Sequence, residues 1–271
     1  MVSSKSKLYF LKAGPKLFSI SALYHENTKL RSFHRTVESG ILEVSREKMK
    51  KLSQAFKVYP NCKLKVELPK DCGDSGAHIE DVIRRRRSIR DFSGDALTIE
   101  ELAKLLYFSY GITDSMKADG VVQPLRAAPS GGALYPLELY PVVFGVRGLN
   151  PGIYHYNVKS HLLELLSSGD HRESLYKYVF GQDMMLQASV VILITAMFER
   201  NQWKYRERGY RYILLDAGHL AENLYLMATA MSLGCCTIGG FLDDYINGML
   251  DIDGVHESTI YVVVVGRPSG P

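Results

Sequence analysis

Cysteine is scarce in this chain and badly spaced for a metal. The four present, Cys62, Cys72, Cys235 and Cys236, give one ten-residue offset and one adjacent pair, and neither matches a common zinc spacing. No metal centre is expected. Cys235 and Cys236 close an apolar helical run and read as buried small hydrophobes rather than as redox groups, which need exposure. Long apolar runs are missing as well. Residues 184–198 are too few to span a bilayer, and residues 223–242 are broken by Gly234, Gly239 and Gly240, so both read as core and no membrane partner is expected. Lys5, Lys7, Lys12 and Lys16 interrupt every candidate secretory signal, which points to a cytoplasmic protein. A one-signed charge is absent too. Against 33 Lys and Arg stand 29 Asp and Glu, a formal +4 spread over both halves, so nucleic acid is not an implied partner. Repeats and low-complexity segments are also lacking.

What is there suits one large globular unit with an extension: 271 residues, 46% hydrophobic and 23% charged. Residues 1–75 carry Pro15, Pro60, Pro69 and scattered lysines without a helical period. They read as an irregular N-terminal arm, with a short strand near Leu8 to Leu11, ahead of a main domain over residues 76–271. Ile79, Val82 and Ile83 repeat at helical spacing, and Arg84 to Arg87 end that helix where basic residues suit its dipole. Thr98 and Glu101 form a capping-box pattern ahead of Leu102, Leu105 and Leu106, and Gly111 stops the run. Turn formers crowd residues 111–136, which read as a long loop of the kind that often carries function. Residues 139–146, 153–157, 189–196 and 261–266 are β-rich, and SVVILITA and YVVVVG suit strands buried on both faces. The strongest helix sets Ile213, Leu214, Ala217, Leu220, Ala221, Leu224, Met227, Ala228 and Met231 on one stripe and ends at Gly234. The expected class is α+β, a mixed β-sheet with helices around one long central core helix.

Chemistry-bearing residues gather in three places. In RRSIR, Arg86, Ser88 and Arg90 present two guanidinium groups and a hydroxyl where a helix ends, a donor set that suits a phosphate monoester. A solvated basic face is the alternative. Pro129, Ser130, Gly131 and Gly132 form a turn whose glycines let backbone amides approach a planar ligand closely, and Gly239 with Gly240 offers a second such stretch. Ordinary turns are the alternative for both.

Taken in this order, these segments resemble the flavin-binding motifs of the nitroreductase-like family, where an Arg-x-Ser-x-Arg/Lys element, a Pro-Ser loop and a late Gly-Gly element touch FMN. The likeness is stronger still to the SagB-type dehydrogenases, the azoline oxidases of modified peptides. It runs through YHENTK (residues 24–29), LLYFSYGIT (105–113), APSGGALYPLELY (128–140), FERNQWKYRERGYRY (198–212), LLDAGHLAENL (214–224), GCCTIGGF (234–241) and VVVVGRP (262–268). The resemblance implies a homodimeric FMN-binding fold in which Arg86, Ser88 and Arg90 clamp the phosphate and ribityl chain. It implies that Ser130, Gly131, Gly132 and Leu134 line the cofactor, that Gly239 and Gly240 lie near the isoalloxazine, and that Arg267 is an additional phosphate partner. Ala133 departs from the pattern, standing where many nitroreductases carry an amide side chain.

Lys204 and Tyr205 resemble the Lys-Tyr pair to which azoline oxidases assign proton transfer. Converting a thiazoline or oxazoline to an azole removes one hydrogen as a proton and one as a hydride. Either Lys204 acts as base, or Tyr205 acts as acid/base beside it. The alternative is a charged surface segment made of Glu199, Arg200, Lys204, Arg206, Glu207 and Arg208. His219 reads as an interior or interface histidine, and Asp216 and Glu222 as helix or dimer contacts. Three functions compete: an azoline oxidase working with other peptide-modifying enzymes, a generic NAD(P)H-dependent nitro or quinone reductase acting on small molecules, and a partner subunit without chemistry.

Overall fold

The computed structural model describes residues 19–29, 56–70, 73–118 and 121–270, so the strand expected near Leu8 lies outside the described residues. In chain order the elements are α1 (Ile20–Asn27), β1 (Leu64–Glu67), α2 (Ile79–Arg85), α3 (Ile99–Tyr110), β2 (Ile112–Ala118), β3 (Val121–Arg126), β4 (Leu137–Val143), β5 (Gly152–Asn157) and β6 (Leu162–Ser168). They continue with α4 (Arg172–Tyr178), α5 (Met184–Gln187), β7 (Val190–Met197), α6 (Glu199–Tyr205), α7 (Arg208–Ala230), β8 (Gly234–Ile238), α8 (Asp243–Met249) and β9 (Glu257–Gly266). The protein is α+β. Seven strands form one sheet in the order β1-β6-β5-β4-β7-β9-β8. Every ladder in it is antiparallel, and parallel pairing is confined to the single bridges Ser88–Cys235 and Leu97–Val146.

Helices cover both sheet faces, which is why its central strands read as continuous apolar runs. Alternate residues divide between two cores. Leu139, Ile192, Ile194, Val263 and Val265 join α3 and α7 on one side, while Val142, Val191, Leu193, Val262 and Val264 join Leu175, Met184, Met185 and Ile246 on the other. The helix α7 lays Ile213, Ala217, Leu220, Ala221, Leu224 and Ala228 against the first core, at about 2 kcal/mol for each fully buried leucine or isoleucine. Leu214, which the stripe assigns to the core, is instead 45% exposed beside Leu215 at 59%, because it falls past the margin of the buried face. Capping of α3 follows the sequence pattern: Thr98 Oγ1 accepts from Glu101 N at 3.2 Å, and Glu101 Oε2 accepts from Thr98 N at 2.7 Å.

Three readings are corrected by the fold. Residues 112–118 and 121–126 pair as the antiparallel strands β2 and β3 rather than forming an open loop; the many turn-forming residues hid the pairing, although Asp-Gly between two β-rich stretches of sequence is a hairpin signature. Cys235 and Cys236 lie on β8 rather than at a helix end, since α7 stops at Ala230 and a five-residue strand is too short to show a period. Both thiols are buried. In α2 only Val82 is buried, and Ile79 and Ile83 are exposed. Within residues 1–75, the strand β1 pairs antiparallel with β6 at the edge of the sheet.

Candidate functional site

Arg86 and Ser88 leave the C-terminus of α2 and run alongside β8, where Ile89 N donates to Cys235 O at 3.0 Å. The Arg86 guanidinium stands 5.2 Å above the Tyr225 ring, and Ser88 Oγ shares a 3.1 Å hydrogen bond with Tyr225 Oη. Tyr225 is itself fixed, accepting from Thr237 N at 2.9 Å. Two of the three expected phosphate donors thus gather around one tyrosine of α7. Arg90 is exposed and donates to Ser88 O at 3.3 Å.

The Pro-Ser-Gly-Gly turn is gripped from α7 as well. Asp216, buried at 5% exposure, accepts from Ser130 Oγ at 2.5 Å and from Gly131 N at 3.3 Å, while Ser130 Oγ accepts from Tyr135 N at 3.0 Å. Burial lifts the Asp216 carboxyl above its usual range despite the Ser130 and Gly131 donors. Asp216 is therefore a buried anchor of this turn, a role that its expected reading as a helix or dimer contact did not include. Gly132 has φ +67°, Ala133 +52° and Tyr135 +46°, left-handed values that are strained for the last two. Leu134 between them is buried.

Lys204 and Tyr205 end α6 directly over this turn. A Cβ added to Gly132 would lie 2.6 Å from Tyr205 Oη and 3.0 Å from Lys204 Nζ, and one on Gly131 would meet Tyr212 Cβ at 3.4 Å. The Tyr205 and Tyr212 rings meet edge-on at 4.8 Å. Among the described residues Lys204 Nζ has no ion-pair partner and stands 5.2 Å from the Tyr205 ring. Among the described residues, buried polar atoms without partners collect at the same junction: Asn201 Nδ2 and Oδ1, Trp203 Nε1 and Arg208 Nε. Short α1 docks there through polar contacts. Tyr24 Oη donates to Glu207 O at 3.2 Å, Arg208 to Thr28 O at 2.9 Å and Arg211 to His25 O at 2.6 Å.

The remaining candidates lie apart from these groups. Gly239 and Gly240 follow β8 as exposed backbone with open space where a Cβ would point. Arg267 is engaged elsewhere, its Nη2 donating to both Glu101 oxygens at 3.0 and 2.8 Å and its Nε to Ala96 O at 3.3 Å. The Tyr225 cluster and the Asp216-held turn are nine residues apart on α7. That is about two and a half turns and about 14 Å, so they occupy opposite margins of its buried stripe.

Behind the turn runs a chain of buried charges. Arg200, which the surface-segment alternative would leave in solvent, is buried and ion-pairs with Glu138 of β4. Glu138 Oε2 also meets His155 Nε2 of β5 at 3.0 Å, and His155 Nδ1 meets Glu164 Oε2 of β6 at 2.9 Å. With a carboxylate on each ring nitrogen, His155 can satisfy both only as an imidazolium. Burial pulls its pKa down, but hydrogen bonds and charge from Glu138 and Glu164 outweigh this and raise it. Burial likewise disfavours ionised Glu138, yet Arg200 and His155 hold it down to about 2. No such chain shows in the sequence because its four members come from four elements.

The Nitroreductase family profile matches residues 83–267. The chain belongs to the nitroreductase family. Members generally bind FMN, and the family is one of oxidoreductases. This family member is 35% identical over 189 residues to a protein of Methanocaldococcus jannaschii described as a nitroreductase, MJ1384, covering 70% of this chain and 90% of that one. It is 30% identical over 163 residues to the microcin B17-processing protein McbC of Escherichia coli, covering 58% of this chain and 57% of McbC. A crystal structure from Anabaena variabilis, also described as a nitroreductase, superposes with a TM-score of 0.74 at 32% identity, covering 91% of this chain and 46% of that one. The chain thus spans only about half the length of two of these relatives. No helix among the described residues is long and apolar enough to cross a membrane.

The site's chemistry fits FMN. Arg86 and Ser88 supply charged and hydroxyl donors for a phosphate, Gly239 and Gly240 leave open space that a Cβ would fill, and among the described residues polar atoms without partners lie at the α6–α7 junction.

Proposed function

We propose that this protein is an FMN-dependent dehydrogenase that oxidises thiazoline or oxazoline rings to azoles in a ribosomally made peptide, alongside other peptide-modifying enzymes. The observation that carries this reading is the convergence of Lys204 Nζ and Tyr205 Oη on Gly132. Arg86, Ser88 and Arg90 would hold the phosphate end, and Ser130, Gly131, Gly132, Leu134, Gly239 and Gly240 would line the rest; Arg267 serves Glu101 instead. Bound flavin supplies the hydride acceptor. Lys204 and Tyr205 take up the proton lost from the second ring carbon, while the half-buried α6–α7 junction holds the ring in place.

We place the cofactor between two copies of the chain. The clamp and the turn lie on opposite margins of α7, and Leu214 and Leu215 leave an apolar strip of that helix uncovered. A monomeric mass for a flavin-loaded protein would contradict this. A second reading, a generic NAD(P)H-dependent nitro or quinone reductase, draws on the 90% coverage of the M. jannaschii relative.

One experiment separates the two readings. Purified protein should be yellow and release FMN, and Lys204→Ala and Tyr205→Phe should keep that flavin while slowing azole formation about a hundredfold, the size of a lost acid/base group. Parental azole rates in both variants would defeat the acid/base assignment. Turnover of nitro acceptors with NAD(P)H, together with inert azoline peptide, would favour the second reading.

A further inference from the structure

We propose that Arg200 is a positioning residue that couples the Pro-Ser-Gly-Gly turn to the Lys204–Tyr205 pair; this rests on the reading of that pair as the acid/base. The helix α6 needs such a tether. It has seven residues, its N-cap Phe198 makes no side-chain cap, and its C-cap Arg206 sits at φ +49°. A helix that short has little stability of its own, so tertiary contacts decide where its last turn lies.

Arg200 supplies the contact at the right place. It lies one helical turn before Lys204, on the same side of α6, and its side chain is 8% exposed. Nη1 donates to Glu138 and lies 3.5 Å from Tyr135 O. Glu138 is the second residue of β4, three residues after Tyr135, so one guanidinium holds both the strained end of the turn and the strand it feeds. The backbone repeats the link, with Met197 N donating to Pro136 O at 2.8 Å. The left-handed Ala133 and Tyr135 persist because their surroundings fix them, and this ion pair is the part of those surroundings that also carries α6. Behind it, His155 and Glu164 keep Glu138 ionised and oriented.

A positioning role is distinguished from general support by non-additivity. If Arg200 acts through Tyr205, then Arg200→Met should lower the kcat for azole formation about a hundredfold, the scale of a misplacement near 1 Å, with KM and flavin content near parental. In a Tyr205→Phe background the same substitution should lower kcat less than threefold further. Arg200→Lys should recover part of the lost rate. Hydrogen exchange gives a readout independent of turnover: residues 199–206 and 130–135 should exchange faster in Arg200→Met, while residues 213–228 keep parental protection. Should Arg200→Met fail to fold, Glu138→Gln carries the same tests. Equal losses in both backgrounds, or faster exchange throughout the chain, would overturn the proposal. If Tyr205→Phe alone leaves the rate unchanged, the acid/base reading fails instead, and the exchange result still reports whether Arg200 couples the turn to α6.

Discussion

Gly132→Ala perturbs the site at the point where the turn meets the Lys204–Tyr205 pair. Two costs can be worked from the geometry. At φ +67° an alanine adopts a left-handed backbone, which costs about 1–2 kcal/mol. Its Cβ would also sit 2.6 Å from Tyr205 Oη. Because real Cβ contacts keep at least 3.0 Å, the phenol must retreat by roughly 0.4 Å or more, and the edge-on Tyr212 ring limits where it can go. On the scale of about a hundredfold per ångström, azole formation should fall roughly tenfold while the protein stays folded. Gly248→Ala in α8 is the internal control, since its Cβ would point into open space and its φ is not left-handed, so it should stay within about threefold of parent. The assay is loss of two hydrogens per ring by mass spectrometry, with the flavin spectrum recorded for each variant. Parental turnover in Gly132→Ala would refute the convergence of the pair on this residue, and flavin loss matching the rate loss would place the clash on the cofactor instead.

Arg86→Ala should lose its yellow colour on dialysis faster than parent; equal retention would remove Arg86 from the phosphate clamp. Asp216→Ala strips the acceptor from Ser130 and Gly131 and should destabilise the fold by about 1–3 kcal/mol, with faster amide exchange at residues 130–135; unchanged exchange would show that the turn holds itself. The buried imidazolium gives stability a pH signature. His155 has a raised pKa in the folded state, so its contribution is fully present below its ordinary value near 6.5 and fades as pH rises through the raised value. Glu138 has a depressed one, so its contribution is present above the ordinary 4.5 and is lost as pH falls toward about 2. Thermal melts of His155→Gln should lack the alkaline decline, and an identical decline would place its origin elsewhere.

Local signals were the readable ones. The capping box of Thr98 and Glu101, the apolar period of α7 and the valine runs of β7 and β9 each act within a few residues, so the sequence displays them directly. Strands β6 and β8 escaped because LLELLSS and GCCTI are short and do not alternate. The site divides in the same way. Arg86, Ser88 and the Pro-Ser-Gly-Gly turn stand out as motifs, whereas Asp216 reads as a helix or dimer contact and Arg200 as one charge among several until the fold supplies Ser130 and Glu138. A charge on a helix gives no sign of a partner 62 positions away.

The place of β9 bears on the order in which the protein can be made. Among the described strands β9 comes last in chain order, yet it lies inside the sheet between β7 and β8, pairing with β7 over residues 257–265 and with β8 over residues 262–266. Until residues 257–266 emerge, β7 has an unpaired side and β8 lacks the ladder that ties it to the sheet, and Arg267 has not yet reached the α3 cap. Such an intermediate offers an open apolar strand to any similar chain nearby, so synthesis arrested shortly before residue 257 should yield aggregates rather than a smaller folded core.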